Sequence, residues 1–240
     1  MNSNSAPSPP SLDPASSKTS AEILPVSGIL GTLDALLRRP RDLCHHFGSP
    51  RSIGLIGVLV FIALLTTALY GLVVGSFSGG MQWWAVPLKL AGGLVLCGVI
   101  CLPSLYVFAC LAGATVRLAD VAGLVAGLVA LLGILLVSFA PVAWVFSQST
   151  NSVAAMGTLH LVFWLIATLF GVLFLRRGLA RLGALSRGAS DVWSVLLVLV
   201  MLQMMTALRP LVGTAQTLLP TEKRFFLQHW GMCLEQNTRN

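Results

Sequence analysis

Charge is what this 240-residue chain has least of. Only 10% of its residues are Asp, Glu, Lys or Arg, against about 25% in soluble domains. With 56% hydrophobic residues, too little polar side chain is present to coat a water-soluble globule. That shortage excludes a soluble domain and points to the bilayer as solvent. Acidic residues are the rarer sign, 8 in all, and none falls in the core of an apolar run. Their absence there argues against proton-coupled transport through buried carboxylates and against an intramembrane aspartyl protease. The patterns G-x-S-x-G, H-E-x-x-H and the P-loop are missing too, so the expectation is no enzyme and no cofactor.

Other absences narrow the reading further. The opening MNSNSAPSPPSLDPASSKTS has no basic segment followed by an apolar core, so it is not a cleavable signal peptide. The five cysteines, Cys44, Cys97, Cys101, Cys110 and Cys233, do not cluster in polar loops, so no disulfide framework is implied. Three of them lie in one apolar run, CGVICLPSLYVFACLAG. On a helix Cys97 and Cys101 share a face, whereas Cys110 falls about half a turn away. No His or acidic residue accompanies them, so they read as small packing residues rather than a metal or redox site. The net charge of +7 forms no stripe with aromatics. It marks topology and contacts with anionic lipid headgroups, and no nucleic-acid partner is expected.

What is present is a series of five long apolar runs, about Ile53–Phe77, Leu88–Gly113, Val121–Phe146, Ala154–Leu175 and Val192–Leu208. A hydrocarbon core about 30 Å thick needs about 20 helical residues, and the fifth run is near the lower limit. The expected fold is an all-α polytopic bundle of five transmembrane helices, N-terminus inside and C-terminus outside. An interfacial amphipathic helix precedes it. Orientation follows from the arginines flanking the inner segments, while the outer loops SGGMQWWAVP and SQSTNS carry none. Trp83, Trp84 and Trp144 suit an outer aromatic belt, with Lys89 snorkelling beside it.

The organisation expected is a disordered polar tail over 1–20, a cytosolic interfacial segment over 21–52, the five-span domain over 53–208 and a C-terminal tail at the outer interface over 209–240. In the interfacial segment Ile29, Leu30, Leu33, Leu36 and Leu37 fall at helical spacing, with Arg38, Arg39 and Arg41 after them and Pro25 and Pro40 as bounds. Packing of that helix on the protein's own loops is the competing reading. Arg209, Arg224 and Trp230 in the tail are further candidates for contact with lipid or a partner.

Two sets of residues carry the functional candidates. Gly71 with Gly75, and Gly123 with Gly127, form small-xxx-small patterns suited to close helix packing, within the monomer rather than as a dedicated dimer face. Ser104, Tyr106, His160 and Gln203 are the polar side chains that would line a path through the membrane. The leading expectation is a non-enzymatic scaffold or accessory subunit with a membrane-protein partner or a second copy of itself. The alternative is a small channel or transporter. The location is an inner (cytoplasmic) or plasma membrane.

LPSLYVF (102–108), APVAWVF (140–146) and ALRPLVG (207–213) are similar to segments of bacterial five-span proteins grouped with the Yip-domain family. The resemblance covers about two thirds of the chain and implies membrane location. In the eukaryotic family it implies membrane shaping and engagement of prenylated GTPases. No GTPase-binding motif stands here to carry that over.

Overall fold

The computed structural model describes residues 28–47, 52–78, 80, 82–150, 152–183 and 187–207. The segments expected as a disordered tail (1–20) and a C-terminal tail (209–240), with Arg209, Arg224, Trp230 and the ALRPLVG segment beyond Ala207, lie outside the described residues. Among the described residues all regular structure is helical. Seven helices follow in order: α1 Gly28–Arg38, α2 Pro40–Phe47, α3 Ser52–Ser78, α4 Gln82–Leu111, α5 Leu118–Ser149, α6 Val153–Arg181 and α7 Arg187–Ala207.

Among the described residues four helices are long and apolar enough to cross a membrane: Ser52–Phe77, Trp83–Leu111, Leu118–Ser149 and Ala155–Arg181. The chain is therefore read as multi-pass. α7 differs from the expected fifth span, since its apolar stretch covers only Asp191–Met204. Charged residues Arg187 and Asp191 occupy its first turns.

The connections are short, so successive helices run antiparallel. The contacts confirm the register. Gly71, late in α3, meets Pro87, early in α4. Gly178, at the end of α6, meets Leu124, at the start of α5. The end of the bundle carrying α1 and α2 is here called proximal and the opposite end distal. The α4–α5 turn shows how sharply the chain reverses. Gly113 takes φ 86°, and the N–H of Ala114 donates to the carbonyl of Ala109. This six-to-one closure stops α4. Asp120 then reaches back to the N–H of Arg117 at 3.0 Å and starts α5.

The core centres on α5. Its apolar window is 72% buried, against 28%, 33% and 44% for α3, α4 and α6. Around it stand α3, α4 and α6, while α7 packs outside, mainly on α4. Small residues permit this crowding. Gly123, Gly127 and Gly133 bring Phe47, Phe174 and the threonine pair Thr66–Thr67 against the α5 backbone, leaving no room for a Cβ.

The N-terminal segment is two helices rather than one. α1 ends at Arg38, just before Pro40, and Pro40 also opens α2, because a proline costs no hydrogen bond in a first turn. Leu36, Leu43 and Phe47 are buried. Phe47 seats on Gly123, and Leu36 lies against Gly127. Among the described residues the segment thus packs on the long helices α3, α5 and α6. A second face of α1 stays outward, with Ile29, Leu30 and Leu37 exposed. Arg39 pairs with Asp34 at 2.6 Å, and Arg38 is 81% exposed beside the same carboxylate. Arg41 falls in the first turn of α2.

Candidate functional site

Polar side chains in α3–α7 mostly turn onto their own helices. Thr66 donates to the Ile62 carbonyl, Thr67 to Ala63 and Ser138 to Ile134, at 2.6 to 2.8 Å. In a bilayer this local bonding satisfies hydroxyls without building a passage.

Ser104 has a double role. Its Oγ donates to the Cys101 carbonyl at 2.8 Å and accepts from Trp193 Nε1 at 3.1 Å. The carbonyl that Pro103 cannot serve is Val99's, four residues back, so Ser104 does not replace the missing bond. It ties the proximal half of α4 to α7 instead. Tyr106, about half a turn nearer the proximal end, is partly exposed. Cys97 and Cys101 are buried free thiols on one face of α4, Cys110 is exposed, and Cys233 lies outside the described residues. No group of three His, Cys, Asp or Glu able to hold a metal occurs among the described residues.

The most unusual polar arrangement lies in the distal third. Tyr70 of α3 and His160 of α6 share a 2.6 Å hydrogen bond between the hydroxyl and Nδ1, across 90 residues of sequence. The rings meet edge to face, with centroids 5.6 Å apart. Both are buried, Tyr70 at 1% and His160 at 6% exposure. Ala140 and Ala143, in the distal part of α5, are buried as well. Next to this pair Phe163 stacks on Phe139 at 4.6 Å.

Among the described residues four buried side-chain polar atoms have no hydrogen-bond partner: His160 Nε2, Trp164 Nε1, Lys89 Nζ and Gln203 Oε1. All lie in the distal half. Lys89 was expected to snorkel, yet its side chain is covered, at 8% exposure. Trp83, Trp84 and Trp144 remain exposed at the distal end, as an interfacial belt requires.

The four residues expected to line one path divide into two levels. Tyr70 fixes His160 to α3, and neighbouring Gly71 touches Pro87 of α4. His160 is therefore level with residues near 88 on α4, about 24 Å along the axis from Ser104. Ser104 and Tyr106 belong to the proximal half, His160 and Gln203 to the distal half. Gly71 and Gly75 are both buried on α3. Gly71, Gly123 and Gly127 each meet another helix of the same chain.

Sequence reasoning singled out His160 but missed Tyr70 and Trp164. Trp164 could have been found, since it follows His160 by four residues and shares its helix face. Tyr70 carried no such signal, because its partner is remote in sequence. In α2, burial raises the Cys44 thiol above its ordinary value, partly offset by the nearby positive charge of Arg181. No family model, no curated protein and no solved structure matches this chain.

Proposed function

We propose that this chain is a non-enzymatic integral membrane protein acting as a scaffold or accessory subunit of a membrane complex. One observation carries the reading: the bundle axis is occupied by a helix, not by a passage. α5 is packed on several flanks, and Leu124, Leu128, Leu132 and Leu136 along it are fully buried. A body of this kind presents its outer surface to lipid and to neighbours. That surface includes the outward apolar rows of α4, α6 and α7.

The proposed topology puts the proximal end and the N-terminus in the cytoplasm and makes α7 the fifth crossing. All arginines of the described residues lie at the proximal end, as the positive-inside rule requires of a cytoplasmic face. There Arg38, Arg177 and Arg181 are exposed at the end of the bundle that also carries the apolar outer face of α1, a combination suited to anionic headgroups. The membrane is an inner or plasma membrane. Kinship with the Yip-domain group belongs to the same proposal and rests on LPSLYVF and APVAWVF, which lie within α4 and α5.

The channel alternative would need Ser104, Tyr106, His160 and Gln203 along one passage. The Ser104 hydroxyl is already engaged twice, and about 24 Å separates its level from that of His160. Crosslinking in native membranes, with mass spectrometry of the products, tests the proposal. A reproducible stoichiometric neighbour, another protein or a second copy, is the expected result. A monomer with no reproducible neighbour overturns it, and solute flux in liposomes that His160→Ala abolishes would replace it with the channel reading.

A further inference from the structure

The outer flank of α6 carries an apolar row that ends in two uncommitted arginines. Phe170, Leu173, Arg177 and Arg181 recur at spacings of three and four residues, so they share one helix face. At 100° per residue they fall within about 80° of arc. All four are exposed, Phe170 at 52% and Leu173 at 38%.

The neighbouring elements leave this row open. Phe174, about 60° to one side of Arg177, turns to the Gly127 position, where Leu36 of the N-terminal hairpin also arrives. Arg176, about 100° to the other side, pairs with Asp191 of α7 at 2.9 Å. The row therefore runs between the hairpin and α7. Arg176 also supplies a contrast. Its charge is matched by a carboxylate, whereas neither Arg177 nor Arg181 has a carboxylate partner among the described residues. Two exposed guanidinium groups one turn apart suit a phosphate, which arginine binds through paired N–H donors.

Depth fits the same ligand. The apolar stretch Ala155–Arg181 is about 40 Å long, the thickness of a bilayer with its headgroup layers. Arg181 then lies among headgroups and Arg177 about 6 Å further in, at their base. Leu173 and Phe170 follow at about 12 and 16 Å, among acyl chains. Charge followed by apolar surface is the order of parts in a phospholipid read from its headgroup. Two unmatched positive charges call for a lipid of net negative charge, since a zwitterionic headgroup carries its own cation.

We propose that this face of α6 docks one anionic phospholipid of the proximal leaflet. Arg177 and Arg181 hold its phosphate, and an acyl chain lies over Leu173 and Phe170. The inference deepens the headgroup surface described above and rests on the proximal end lying at a membrane face. It needs no protein neighbour, so its failure would leave the crosslinking test of the scaffold reading untouched.

The test titrates the full chain in detergent with phosphatidylglycerol or with phosphatidylcholine of the same acyl chains, and counts lipid adducts by native mass spectrometry. The first phosphatidylglycerol should bind about tenfold more tightly than phosphatidylcholine. Arg177→Gln combined with Arg181→Gln should erase that preference with the melting temperature unchanged, because both side chains are exposed. Arg176→Gln should preserve it, since that charge is already matched by Asp191. Phe170→Ser combined with Leu173→Ser keeps every charge and should weaken phosphatidylglycerol binding about three- to tenfold, which decides independently of the arginine variants. Equal binding of the two lipids, or a preference that survives loss of Arg177 and Arg181, overturns the proposal. So does an equal loss from Arg176→Gln, which would reduce the effect to diffuse attraction by the proximal charge.

Discussion

Helices α4 and α5 are near equals in length, 30 and 32 residues, and both are almost free of charge. Their situations are opposite. α4 turns Leu88, Leu96, Val99, Ile100, Val107 and Leu111 outward, whereas α5 buries nearly everything from Asp120 to Leu136. Small residues make the difference. On α5, Gly123, Gly127 and Gly133 each lie against a neighbour's side chain, while Gly92 of α4 faces open space. Apolar character selects the membrane for both helices, but it does not order them within it, since lipid tails are as apolar as leucine. Close approach on several flanks draws α5 to the centre.

That contrast can be broken most severely where the N-terminal hairpin uses it. Phe47→Ala removes the ring seated on Gly123 and should cost about 3–5 kcal/mol, read from detergent-induced unfolding. The same change should undock α2 and expose Cys44. In the native chain burial favours the neutral thiol, so its alkylation should set in at higher pH than for an ordinary cysteine. Phe47→Ala should bring that onset down. The linked stability has a definite sign. With the folded value above the unfolded one, the contribution is complete below the unfolded thiol range and is lost as pH rises through the folded value.

A direct exchange between the two helices comes next. Gly123→Leu forces a side chain into the Phe47 ring and should cost about 1–3 kcal/mol. Gly92→Leu on α4 should be neutral. Equal effects at the two glycines would sink the account of why α5 is central. Tyr70→Phe should follow at about 1–3 kcal/mol, because it deprives a buried imidazole of its partner. A thermal shift no larger than that of an exposed control such as Leu169→Ala would show that the bond contributes nothing. Ser104→Ala removes the acceptor of the Trp193 bond while leaving the buried indole in place and should cost about 1 kcal/mol. The smallest effect belongs to the exposed pair at the hairpin, where Asp34→Asn should change stability by no more than about 1 kcal/mol.

The two polar residues at the distal end of α4 and α6 show where sequence reading reaches its end. His160 stood out as an ionisable group at membrane depth. Its role did not, since Tyr70 is 90 residues away and nothing local links them. Lys89 misled for the same reason. A lysine one or two turns from a helix end normally reaches the interface, and only its neighbours in space determine that it is covered here. The hairpin lay between these extremes. Its helical spacing was legible, and its docking depended on glycines far along the chain.

The sequence by itself determined the solvent, the helical class, the positions of four spans and the concentration of arginines at one end. Those properties follow from composition and local periodicity, because a backbone in lipid must bond within its own segment. Only the tertiary structure decided which helix is central, where the N-terminal hairpin rests and which polar atoms are left without partners. Each of these depends on pairs of surfaces meeting at van der Waals distance, and among helices of nearly uniform hydrophobicity that fit is set by shape.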